Sequence, residues 1–126
     1  MDQEVLKKLR YKEGSAMVLN APKGYESDIS AKDSEGKWTF ALLFAHHKQD
    51  VEEWLPRILP YIEEDAVFWI AFPKKSSKIN TDINRDILAA FLQDQTPFRP
   101  VSNVSIDETW SALRFREKEK VKSRKA

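Results

Sequence analysis

Two stretches of the chain, Trp38-Thr39-Phe40-Ala41-Leu42-Leu43-Phe44-Ala45 and Ala66-Val67-Phe68-Trp69-Ile70-Ala71-Phe72, are apolar almost without interruption. A strand with one solvent face alternates, so a continuous apolar run of this length predicts a strand covered on both faces. Between the two runs, Val51, Trp54, Leu55, Ile58, Leu59 and Ile62 recur at helical spacing and form one stripe. Asp50 with Glu53 three residues later reads as a capping box. Pro56 interrupts the pattern, because an interior proline loses one backbone hydrogen bond, and it predicts a kink or a helix restarting there. Strand, helix, strand with both strands buried argues for an α/β sheet.

The flanking segments extend that unit. Val5, Leu6 and Leu9 suit a short amphipathic helix ending before Gly14, and residues 15–22 read as a strand stopped by Pro22. Around Tyr25 to Ile29 there is room for one helical turn at most. Glu63-Glu64-Asp65 reads as the turn into the third strand, which Pro73 closes. A second helix is signalled by Thr81 or Asp82 as cap, with Ile83, Ile87, Leu88, Phe91 and Leu92 on one side. Val101 to Ile106 and Trp110 to Arg116, separated by Asp107-Glu108-Thr109, read as an antiparallel hairpin. The expected fold is a single α/β domain over residues 1–116: a mostly parallel Rossmann-like sheet of about five strands, helices on its faces, and an antiparallel C-terminal hairpin. A length of 126 residues suits one such domain.

Charge is unevenly spread. Residues 116–126 carry six basic and two acidic side chains, a net of +4 against +1 for the whole chain, so the body is acidic. With Val121 as its one apolar residue, the stretch 117–126 is expected to be a disordered basic tail. Such a tail can attract nucleic acid by counterion release, although nucleic acid is not the expected partner. The first residues lack a basic and an apolar signal-peptide region, and no apolar run nears the ~18 residues that span a bilayer. A cytoplasmic protein with no membrane association is expected. The absence of cysteine removes disulfides, thiolate zinc sites and a cysteine nucleophile together.

In an open α/β sheet, ligands bind beyond the carboxyl ends of the parallel strands. The segments following the three strands are Asn20-Ala21-Pro22-Lys23-Gly24-Tyr25, then His46-His47-Lys48, then Pro73-Lys74-Lys75-Ser76-Ser77-Lys78. Were the strands parallel, one edge would gather these basic residues from an acidic body, next to the start of the second helix, whose dipole favours an anion. The candidate ligand-binding residues are Lys74, Lys75, Ser76, Ser77, Lys78, Thr81, Arg85 and Lys23, with Asn84 beside Arg85. The competing reading is a solvated loop whose hydroxyls serve as local caps.

Neither G-x-G-x-x-G nor G-x-x-x-x-G-K-[ST] occurs, which argues against dinucleotide and P-loop sites, and no Gly-x-Ser-x-Gly elbow is present. His46 and His47 are the two histidines, and adjacent strand residues point to opposite faces, so they make a poor chelate. No metal and no cofactor is expected. Trp69 and Trp110 have apolar neighbours and read as packing residues.

Trp69-Ile70-Ala71-Phe72-Pro73-Lys74-Lys75-Ser76-Ser77-Lys78, Thr81-Asp82-Ile83-Asn84-Arg85, Trp110-Ser111-Ala112-Leu113-Arg114-Phe115 and Leu19-Asn20-Ala21-Pro22-Lys23-Gly24-Tyr25 resemble a family of small bacterial proteins catalogued as a domain of unknown function. The resemblance covers roughly residues 5–116 and implies no activity. In element order the chain is also distantly similar to the second half of the Rossmann-like methyltransferase fold. It departs from that family by placing Asn20-Ala21-Pro22-Lys23-Gly24 where a glycine-rich cofactor loop stands, and His46-His47 where an acidic residue ends the second strand. The expectation is a non-catalytic module that binds an anionic small molecule or a protein partner at the C-terminal edge of the sheet. The alternative is a small transferase or degenerate methyltransferase-like enzyme with His46 or His47 as base.

Overall fold

A computed structural model describes residues 16–20, 38–75 and 81–117. In chain order the elements are β1 (Ala16–Leu19), β2 (Trp38–Phe44), α1 (Lys48–Ile58), a 3-10 turn (Leu59–Tyr61), β3 (Ile62–Pro73), α2 (Arg85–Gln95), β4 (Phe98–Ser105) and β5 (Trp110–Glu117). The strands form one sheet in the order β1-β2-β3-β5-β4. β1 pairs parallel with β2, and β2 parallel with β3. β5 pairs antiparallel with both β3 and β4.

The sheet is therefore mixed, with its pairings divided between parallel and antiparallel, and the expectation of a mostly parallel Rossmann-like sheet is overturned. β4 and β5 form the expected antiparallel hairpin, and the difference lies in where that hairpin joins the sheet. Asp107 Oδ1 accepts from the amides of Thr109 and Trp110, each at 2.8 Å, closing a turn far too short for the crossover that parallel strands need. The returning β5 inserts between β3 and β4 and reverses the pairing on both its sides.

Along β2 the side chains alternate between two buried clusters. Ala41 and Leu43 join Phe68, Ile70, Phe72, Leu113 and Phe115 beneath Val51, Leu55 and Ile58 of α1 and Leu88 and Leu92 of α2. Phe40, Leu42 and Phe44 face the other way, with Trp69, Ala71, Trp110 and Ala112. Both described helices thus pack on the same face of the sheet. Phe44 meets Trp110 edge-on at 5.1 Å, and Phe68 meets Phe98 in the same way at 5.7 Å.

Several boundaries differ from the pattern. α1 runs through Pro56 without restarting and stops at Ile58, so Ile62 belongs to β3 and not to the helical stripe. Pro56 is exposed, as is Glu52, whose carbonyl loses its partner and can be hydrated instead. Pro60, at the start of the 3-10 turn, has no amide to continue the ladder. Glu63 to Asp65 lie in β3 and not in a turn: Trp38 pairs with Ile62 and Phe40 with Val67, so these residues take up an irregularity in the strand. β4 begins at Phe98 and includes Pro100, next to a register shift at the sheet's edge, where a missing amide is tolerated. β5 extends to Glu117, one residue past the expected domain boundary. The helix expected near Val5 to Leu9, the turn near Tyr25 to Ile29, Lys23, Ser76, Ser77, Lys78 and the tail beyond Glu117 lie outside the described residues.

Candidate functional site

β1, β2 and β3 run in one direction, and β4 shares it because β5 opposes both β3 and β4. The ends of these four strands and the start of β5 therefore lie along one edge. Asn20, just past β1, has φ 56°, a left-handed conformation that asparagine tolerates better than most residues. Its Nδ2 donates to Phe44 O at 2.9 Å, which ties the end of β1 to the end of β2.

Past β2 the chain turns into α1 with His47 as N-cap. Asp50, expected as the cap itself, sits one turn inside the helix. Its Oδ2 accepts from His46 N at 2.9 Å and His47 N at 3.2 Å. A second carboxylate reaches the same helix start from far along the chain: Asp82 Oδ1 accepts from Lys48 N at 2.7 Å and lies 3.7 Å from His47 Nδ1. The Thr81 hydroxyl donates to His46 O and accepts from Ile83 N, the latter at 3.2 Å. The His46 ring stands edge-on to Trp110 at 5.0 Å. Residues 81–83 are thus clasped to the start of α1, and both histidines take part in the clasp.

This clasp corrects the expected capping of α2. Neither Thr81 nor Asp82 caps it; the N-cap is Asn84, whose Oδ1 accepts from Ile87 N at 2.8 Å. Replacing Asn84 by alanine is expected to lower stability by about 1 kcal/mol in urea unfolding, the usual worth of a side-chain cap.

On the helix-bearing face of this edge, a cleft of about 680 Å³ opens between the ends of β3 and β4, the start of β5 and the first turn of α2. Five sequence-predicted residues line it: Lys74, Lys75, Thr81, Asn84 and Arg85. Lys74 is anchored by its amide, which donates to Thr109 O at 2.7 Å, and its Nζ donates to Ser105 Oγ at 2.6 Å. Arg85 Nε lies 3.6 Å from Asp86 Oδ1, and both side chains are exposed. Thr81 borders the cleft, but its hydroxyl hydrogen goes to His46 O. Asn103 and Ser111 also line the cleft, and the sequence reading did not anticipate them. They reach it because β5 lies beside β3, with Ser111 in register with Phe72.

A larger groove of about 1040 Å³ separates the two helices, lined by Leu55, Pro56, Leu59, Ile87 and Phe91 among others. Lys48 Nζ stands 5.2 Å over the Phe91 ring, and Glu52 and Asp94 border the groove as well. Its mixed charge gives no preference for an anion. Among the described residues, the cleft beside α2 instead holds Lys74, Lys75 and Arg85 against one carboxylate, Asp86.

Among the described residues, no three His, Asp or Glu side chains gather to hold a metal ion, and no helix is long and apolar enough to cross a membrane. Trp69 and Trp110 are buried packing residues. No protein-family model, curated protein or solved structure matches the chain, so the chemistry of this cleft is the guide to function.

Proposed function

We propose that the protein is a non-catalytic module that binds an anionic small molecule in the cleft between the end of β3 and the start of α2. The observation that carries this reading is that Lys74 and Lys75 from one segment and Arg85 from another border the same cleft, with Asp86 as the opposing charge. Lysine supplies a mobile point charge, and arginine a planar fork suited to phosphate or carboxylate oxygens. The first amides of α2 add donors and a favourable dipole at the same place. Neither histidine is among the residues lining this cleft, which supports a binding role there over one with a histidine base.

Isothermal titration with inorganic phosphate at low ionic strength tests the reading. The double variant Lys75→Glu, Arg85→Glu replaces two exposed cations and is expected to weaken binding at least about tenfold, or roughly 1.4 kcal/mol. Wild-type binding should also fall as salt rises, because exposed charges are screened. Unchanged affinity in the folded double variant overturns the proposal.

A further inference from the structure

We infer that the ligand of this cleft is a hydroxylated phosphomonoester, a sugar or polyol phosphate, and not a bare anion or a nucleotide; this rests on the anion-binding reading above. Charge is the first argument. Among the described residues, three cations line the cleft against one carboxylate, Asp86, and this surplus of positive charge suits a phosphomonoester dianion.

The second argument is the hydrogen-bonding character of the opposite wall. Asn103 Nδ2 donates to Ala112 O at 2.9 Å and to Ser111 Oγ at 3.2 Å. Both amide hydrogens are thereby used, and the bond to a backbone carbonyl fixes which end of the amide is which. What Asn103 offers a ligand is its carbonyl oxygen, an acceptor. Ser111 Oγ donates to Val104 O at 3.1 Å, so its hydroxyl also has only acceptor capacity left for a ligand. The three terminal oxygens of a phosphomonoester dianion are acceptors alone and gain nothing from this wall. Hydroxyl groups on the body of the ligand donate to it, while the phosphate meets Lys74, Lys75 and Arg85.

Size and shape complete the case. A cleft of about 680 Å³ lies in the range of small-molecule sites, and a lone phosphate would leave most of it to water. Among the described residues, Phe72 is the one aromatic residue lining it and is 6% exposed, so they offer a nucleobase no ring face on which to stack.

The test compares glucose 6-phosphate, glycerol 3-phosphate, inorganic phosphate and adenosine monophosphate by isothermal titration of the full chain. The two hydroxylated esters are expected to bind at least about tenfold more tightly than inorganic phosphate, a gap that hydrogen bonds to hydroxyls can supply. Adenosine monophosphate is expected to bind more weakly than either ester. In Asn103→Ala and Ser111→Ala, the gap between the ester affinities and that of inorganic phosphate should narrow. Equal affinity for phosphate and the esters overturns the ligand class but leaves anion binding standing. Tighter binding of the nucleotide also overturns it. Absence of binding by all four ligands overturns the underlying reading as well. The wild-type comparison decides the matter even if a variant fails to fold.

Discussion

Truncating Trp69 to alanine is expected to cost about 3–5 kcal/mol, a large share of the roughly 5–15 kcal/mol that stabilises a domain of this size. Trp69 is 1% exposed and lies in β3, the middle strand of the sheet, in register with Leu42 on one side and Arg114 on the other. Its side chain belongs to the cluster of Phe40, Leu42, Phe44 and Trp110, on the face away from both described helices. Those neighbours are held by ladder hydrogen bonds, so they cannot move in to fill the space, and cavities that fail to collapse carry the highest cost. Urea unfolding followed by far-ultraviolet circular dichroism should show the midpoint falling by about 2 M at a slope typical of small domains. A loss under about 1 kcal/mol would mean that this face can repack.

The same packing explains which parts of the fold the sequence made legible. A strand buried on both sides has no polar positions to spare, and so β2 and β3 stand out as continuous apolar runs. Helix α1 is legible through Val51, Leu55 and Ile58, but periodicity alone carries the pattern on to Ile62, which is apolar because it is buried in β3. The stop is written in Pro60, a single residue that a stripe of hydrophobic positions does not register. The mixed topology was hidden for a different reason. A strand's pattern records that it is buried but not which strands flank it, and the insertion of β5 between β3 and β4 is a choice of neighbours.

The candidate site divides along the same line. Lys74, Lys75, Asn84 and Arg85 border one cleft because they follow β3 or open α2, positions that strand and helix signals locate directly, and Thr81 lies between them. Asn103 and Ser111 were invisible, since each is an ordinary polar residue on a strand and becomes a wall of the cleft only through the placement of β5. Thr81 and Asp82 were found as capping residues and assigned to the adjacent helix. Sequence proximity favours the local cap, whereas the folded chain lets Asn84 serve α2 and sends Asp82 to α1.

Removing both carboxylates from the start of α1, in Asp50→Ala with Asp82→Ala, is expected to cost about 2–4 kcal/mol, with each single change costing about 1–2 kcal/mol. Asp50 accepts from two backbone amides and Asp82 from a third, so the double variant leaves His46 N, His47 N and Lys48 N without these partners. The bonds to Lys48 and His47 are exposed, and water recovers part of the loss; the bond to His46 is half-buried and recovers less. Because both acids serve the same first turn, the two losses should depart from additivity, and a double-mutant cycle in urea measures by how much. Asp82 has a second consequence. It is not among the residues lining the cleft, yet it holds residues 81–83 to α1 and so sets where Asn84 and Arg85 begin α2. Asp82→Ala should therefore weaken phosphate binding through position, whereas Asp82→Asn keeps an oxygen acceptor for Lys48 N and should restore most of both stability and binding. If Asp82→Asn behaves like Asp82→Ala in both measurements, the charge of Asp82, and not its bond to α1, is what matters at this edge.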